Sequence, residues 1–159
     1  MFPESDRWDI VETTSLSVDT LDNQLRENNI RDVDFLKVDT QGSELFILEG
    51  ATYSLENYIF GVEVEVYLSE LYKNQPLFSD VDKFLRKHDF ELFDISSVYY
   101  KRNVGMHIGK TRGQIMWADA IYLKNSECFV KNLSDKNGKT DKTHIKTKIL
   151  KAVSSCLLY

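Results

Sequence analysis

The sequence predicts an α/β fold built on a mostly parallel sheet that ends in an antiparallel hairpin and a trailing helix. Three observations carry this reading. Residues 34 to 50, DFLKVDTQGSELFILEG, run from a short apolar stretch through Asp39 and a Gly-containing turn into helical spacing. That is how a strand delivers an acid to a loop just ahead of a helix. Val62, Val64 and Val66 alternate with Glu63 and Glu65, a period of two that belongs to a strand. Finally, helices and strands alternate until two strands follow each other directly, the order expected of parallel units closed by a hairpin.

Taken in order, Ile10 to Val18 is rich in β-branched residues and partly alternates, which predicts an edge or hairpin strand. Asp19 or Thr20 caps a short helix in which Leu21 and Leu25 share a face, and Asn28-Asn29 stops it. Val33 to Val38 is then a buried strand, expected at the centre of the sheet. Leu45, Leu48, Ala51 or Thr52, and Leu55 recur at helical intervals, with Gly50 dividing the helix into two turns. After the strand at Ile59 to Leu68, Pro76 opens a helix with Asp80 and Asp82 early and Arg86, Lys87 and His88 late, matching its dipole at both ends. Val81, Phe84 and Leu85 face its core side. Phe90 to Ile95 and Ile115 to Leu123 form the last two strands, around a polar loop long enough to carry function. The domain is expected to span residues 1–123, with residues 124–159 a basic linker and an amphipathic helix marked by Ile145, Ile149, Leu150, Val153 and Leu157.

Composition narrows the function. With 159 residues, 42% hydrophobic and 28% charged, the chain is one soluble globular domain. It has 12 basic against 22 acidic residues before Lys124, and 8 against 3 from there on. An acidic body argues against a general nucleic-acid binder. The basic tail, where Lys146, Lys148 and Lys151 flank an apolar stripe, leaves a membrane surface or nucleic acid open as a salt-sensitive partner. Packing on the domain or on a neighbouring copy is the commoner fate of a terminal helix. Cys128 and Cys156 form no C-x-x-C pair, and three scattered histidines make no metal set. No signal-peptide pattern and no membrane-length apolar run is present, so a cytoplasmic setting is expected.

Several segments together resemble the FkbM-type methyltransferases, S-adenosyl-L-methionine-dependent enzymes of the Rossmann-like class. The carriers are Thr20-Leu21-Asp22, then DFLKVDTQGSELFILEGA, the strand with Glu63 and Glu65, and LYKNQPLF from Leu71. They continue with the helix ending at Asp89-Phe90, YYKR from Tyr99, and GQIMWADAIYL from Gly113. The resemblance implies a partial class I methyltransferase fold, S-adenosyl-L-methionine as cofactor, and a small-molecule or carbohydrate acceptor methylated on a hydroxyl. Such enzymes bind the cofactor mainly through a Gly-rich loop after their first strand, and no G-x-G loop precedes Asp34. The chain is therefore expected to be the C-terminal half of the domain, inactive alone, with an interaction module that pairs through a sheet edge as the alternative. Gln41 stands where many relatives carry Glu, and Thr40 and Ser43 replace commoner apolar or small residues.

Methyl transfer needs alignment of donor and acceptor and a group to take the acceptor's proton. Asp39 is the leading candidate, to orient the acceptor, take its proton, or contact the cofactor's methionine amino group; its structural alternative is capping the next helix. Glu65, near the carboxyl end of its strand, is expected to reach the same cleft, with a solvated or salt-bridged sheet face as its alternative, a reading that suits Glu63 better. Gln41, Glu44, Tyr67, Lys101, Arg102 and His107 are candidate substrate contacts, against a dipole-favoured first-turn acid for Glu44, sheet packing for Tyr67 and a solvated loop for the basic pair. Tyr72 is a further candidate for the acceptor wall, and His88 fits its helix end by charge alone.

Overall fold

A computed structural model describes residues 11–30, 33–100 and 113–125, with Glu127 and Thr147. The elements are α1 (Leu21–Glu27), β1 (Phe35–Val38), α2 (Glu44–Glu49), α3 (Thr52–Asn57), β2 (Gly61–Tyr67), α4 (Phe78–Lys87), β3 (Phe90–Tyr100) and β4 (Gln114–Lys124). After the first expected strand, this is the order the sequence predicts.

The four strands form one sheet in the order β1-β2-β4-β3. It is mixed, and here the expectation of a mostly parallel sheet is corrected: β1 and β2 run parallel, but β4 is antiparallel to both of its neighbours. The hairpin extends the sheet from β2 with its strands in reversed order. Its second strand, β4, inserts beside β2 and leaves β3 outside. The strand expected at the centre, β1, lies at the end of the sheet among the described residues. The interior place belongs to β2, where six of seven residues are buried. Strands on both sides complete its backbone ladders, which suits β2, like β4, to the inside of the sheet.

Residues 11–20 form no strand, and Val11, Leu16 and Val18 stand almost fully exposed. A run of β-branched residues becomes a strand only where a ladder partner exists. The trailing helix and the loop from Lys101 to Arg112 lie outside the described residues.

Local chemistry explains the helix ends. The Thr20 hydroxyl accepts from the Asn23 amide at 3.3 Å, and Asn29 at φ 57° ends α1. Gly50 separates α2 from α3 as expected. α4 begins at Phe78, two residues beyond Pro76, with the Leu77 amide donating to Asp80 at 2.9 Å. His88 caps its other end, packed on Phe84 and 3.3 Å from Glu56.

The core lies between the sheet and α2, α3 and α4. Val62, Val64 and Val66 meet Leu48, Leu55, Val81, Leu85, Ala118, Ala120 and Tyr122 there. Lys124 ends β4 with its ammonium donating to the Leu55 carbonyl at 2.7 Å and lying 4.8 Å above the Phe90 ring. The opposite face of the sheet is set by register: Lys37 pairs with Glu63, Glu63 with Ile121, and Glu65 with Asp119.

Candidate active site at the strand ends

The chemistry-bearing groups collect where β1 and β2 end. Because the two strands are parallel, their carboxyl ends lie at one edge of the sheet, the usual place for a site in an α/β fold. Asp39 follows β1 by one residue. Glu65 lies on the sheet face that also carries Glu63, as the period of two requires.

Between them stands Gln41. Its side-chain amide donates to Asp39 at 3.1 Å and to Glu65 Oε2 at 2.9 Å, so one NH2 group bridges two carboxylates. Gln41 reaches this position from a left-handed backbone at φ 57°, followed by Gly42 at φ 113°. A glutamate at this position, if ionised, would place a third negative charge where the amide now supplies two donors.

The turn is held from inside by Glu44. This carboxylate is only 3% exposed and accepts from Thr40 N at 2.9 Å, Thr40 Oγ1 at 3.2 Å and Gly42 N at 3.1 and 3.0 Å. Its place at the first turn of α2 suits a carboxylate. Read from sequence as a substrate contact, Glu44 is instead committed to shaping the loop that presents Asp39 and Gln41.

Tyr67 is buried at the end of β2, and its hydroxyl donates to Glu65 Oε2 in a short hydrogen bond. Burial pushes the Tyr67 phenol well above its ordinary range, and the carboxylate it faces adds to this. Burial also raises the Glu65 carboxyl. The bond from Tyr67 works against that rise, while the negative charges of Asp39, Glu44 and Asp119 reinforce it. Glu65 Oε1 makes no hydrogen bond among the described residues.

Asp119 was not singled out in the sequence reading. It pairs with Glu65 across β2 and β4, and burial holds its carboxyl above the usual range despite the attraction of Lys37. An acid in the middle of the apolar strand IMWADAIYL was the available signal. Gln75, buried beside Gly42, was also missed, and nothing in LYKNQPLF separates it from an ordinary turn residue.

Glu63 behaves as the salt-bridged alternative expected for it: it is 4% exposed and paired with Lys37 at 2.6 Å. Lys101, Arg102 and His107 lie outside the described residues. A cavity of about 600 Å³ opens away from these strand ends, lined by Asp22, Leu25, Arg26, Ile30, Tyr53, Ser54 and Tyr58. Its acid, Asp22, is already engaged by Tyr53 N, Ser54 N and Ser54 Oγ at 2.7, 3.0 and 2.5 Å. Among the described residues there is no group of three metal-ligating side chains, and no helix is long and apolar enough to cross a membrane.

The carboxyl ends of parallel strands in an α/β sheet, where these acids gather, are the usual place for a ligand. The model of the methyltransferase FkbM domain matches residues 2–92, more than half of the chain. The chain belongs to the FkbM methyltransferase family. Neither a curated protein nor a solved structure matches it.

The site fits the family's cofactor in part. By charge, the Asp39 carboxylate suits the ammonium of the methionine part of S-adenosyl-L-methionine. The turn offers it no backbone donors at Thr40 and Gly42, because Glu44 already accepts from both.

Proposed function

We propose that this domain serves S-adenosyl-L-methionine-dependent methylation of a hydroxyl on a sugar or other small metabolite, within a Rossmann-like methyltransferase fold. The observation that carries the proposal is the Asp39–Gln41–Glu65 arrangement at the ends of two parallel strands. When bound, the cofactor supplies a methyl group on a positively charged sulfur. This chain's residues hold the acceptor and manage its proton.

Glu65 is the proposed proton acceptor. Its Oε2 is occupied by Tyr67 and Gln41, which fixes the carboxylate and leaves Oε1 to meet the acceptor hydroxyl. A carboxylate raised above its ordinary range is a stronger base than an unperturbed one. As the hydroxyl proton passes to Oε1, the electron pair it leaves makes the acceptor oxygen the nucleophile. Asp39 orients the acceptor or the cofactor's ammonium, and Tyr67 and Tyr72 form the wall beside it. Lys101, Arg102 and His107 stay candidates for acceptor contact from their residue types alone. A cytoplasmic setting is part of this reading.

The cofactor pocket proper is assigned to a Gly-rich segment that this chain does not carry. The commitment of the turn amides to Glu44 favours a second reading, a non-catalytic module that pairs through a sheet edge or the C-terminal helix. Transfer of labelled methyl from S-adenosyl-L-methionine to a panel of sugars, by a protein containing this domain, separates the two. Activity that falls about 100-fold or more in Glu65→Gln supports the proton-acceptor role. Activity that survives this change unchanged refutes it.

A further inference from the structure

We propose that Gln75 is a positioning residue, fixing the loop after β2 on the Gly42 turn so that Tyr67 and Glu65 stay screened from water beside Asp39. It deepens the functional reading above, which supplies the meaning of the site but not the evidence for the contact.

The loop from Leu68 to Leu77 belongs to no helix or strand, so its backbone groups need other partners. Gln75 supplies them. Its Oε1 accepts from Leu71 N at 3.0 Å and from Tyr72 N at 3.1 Å, and its backbone N–H donates to the Tyr72 carbonyl at 3.1 Å. Asn74 turns the chain at φ 61°, and its amide donates to Glu70. One side chain thus braces the loop from within.

The same side chain seats the loop on the turn. A methyl group built on Gly42 would lie 3.3 Å from Gln75 Nε2 and 3.1 Å from Tyr72 Cδ2, so both side chains rest against the bare α-carbon. Gln75 is 92% buried by this packing, and its Nε2 has no hydrogen-bond partner. A loop that only needed bracing would not have to bury an amide donor unmade. That cost accompanies close contact with the turn that carries Gln41.

From this position the loop bears on Glu65 indirectly. The groups that face Glu65 are Tyr67 on its own strand, Asp39 and Gln41 from the turn, Glu44 from α2 and Asp119 from β4. Tyr72 lies close enough to act electrostatically on Tyr67. Burial is the largest cause of the raised carboxyl at Glu65, so a loop that loosens admits water and lets Glu65 titrate nearer its ordinary range.

The test uses the whole chain with no methyl donor or acceptor, reading amide exchange and the carboxyl carbon of Glu65 by nuclear magnetic resonance. In Gln75→Met, which keeps the bulk and loses the acceptor, Leu71 and Tyr72 amides are expected to exchange about tenfold faster or more. The Glu65 midpoint is expected to fall. Gly42→Ala, which pushes the loop off from the turn side, should lower it likewise. Gln75→Glu keeps an acceptor for both amides, so it should restore their protection with Glu65 at or above its wild-type midpoint. Lost protection with an unmoved Glu65 midpoint would overturn the proposal, since Gln75 would then brace only its own loop. Unchanged protection in Gln75→Met would overturn it as well. Neither result depends on whether methyl transfer is found.

Discussion

Asp39 and Glu65 are the acids that invite a catalytic reading, yet the turn that presents Asp39 is held by a third, buried carboxylate. Glu44 accepts from the Thr40 amide and hydroxyl and from the Gly42 amide, all beneath the turn. Glu44→Ala removes the acceptor shared by an exposed Thr40 and a half-buried Gly42, which water replaces only in part. The expected loss is about 1–2 kcal/mol in urea unfolding. Asp119 makes a different kind of contribution. Burial raises its carboxyl, so the folded protein holds this proton more tightly than the unfolded chain does. Its contribution to stability is complete below the ordinary carboxylate range and is lost as pH rises through the raised folded value. Glu65 acts in the same sense. Asp119→Asn is therefore expected to be more stable than the wild type at neutral pH. The gap should close below about pH 4 in thermal melts.

At the scale of elements, two clasps set the frame. Asp22 on α1 reaches the first turn of α3, accepting from Tyr53 N, Ser54 N and Ser54 Oγ, while its own amide donates to the Gly50 carbonyl at 3.0 Å. This places α1 against α3 and gives structural content to the Thr20-Leu21-Asp22 segment. Asp22→Ala should cost about 2 kcal/mol by chemical denaturation, as loss of a helix-capping carboxylate does. The second clasp joins β1 to β2 through Lys37 and Glu63, with Lys37 half-exposed and Glu63 nearly buried. Lys37→Met removes the cation at 2.6 Å from a carboxylate whose other oxygen, Oε2, is already unpartnered. An expected loss of about 2 kcal/mol, measured the same way, reflects a buried charge losing its cation, reduced by the exposure of the lysine.

At the scale of the molecule, the chain carries the family's domain, while among the described residues the turn after β1 has no free amide at Thr40 or Gly42 for the proposed cofactor. No G-x-G loop precedes the first described strand, and Glu44 takes the turn amides that would otherwise face a ligand. The chain alone is therefore expected to bind S-adenosyl-L-methionine weakly, with a dissociation constant of about 100 µM or above. Calorimetry giving low-micromolar affinity would show that these residues suffice for the cofactor.

What the sequence by itself determined is the set of elements and the position of Asp39. Strand period, helix spacing, the Thr20 cap and the Gly50 break are local properties, written in neighbouring residues, and they place α1 through β4 in the right order. The same local pattern misled at residues 11–18, where β-branched residues have no ladder partner, and at β1, whose apolar run looks central but ends the sheet. Strand order is a matter of which ladders close, and that is not encoded in any one segment. Only the tertiary structure inserted β4 beside β2, and with it brought Asp119 into the row with Glu65 and Asp39. It likewise buried Glu44 beneath its own turn and packed Gln75 against Gly42, because burial depends on which elements the fold brings over a segment and no single segment encodes that.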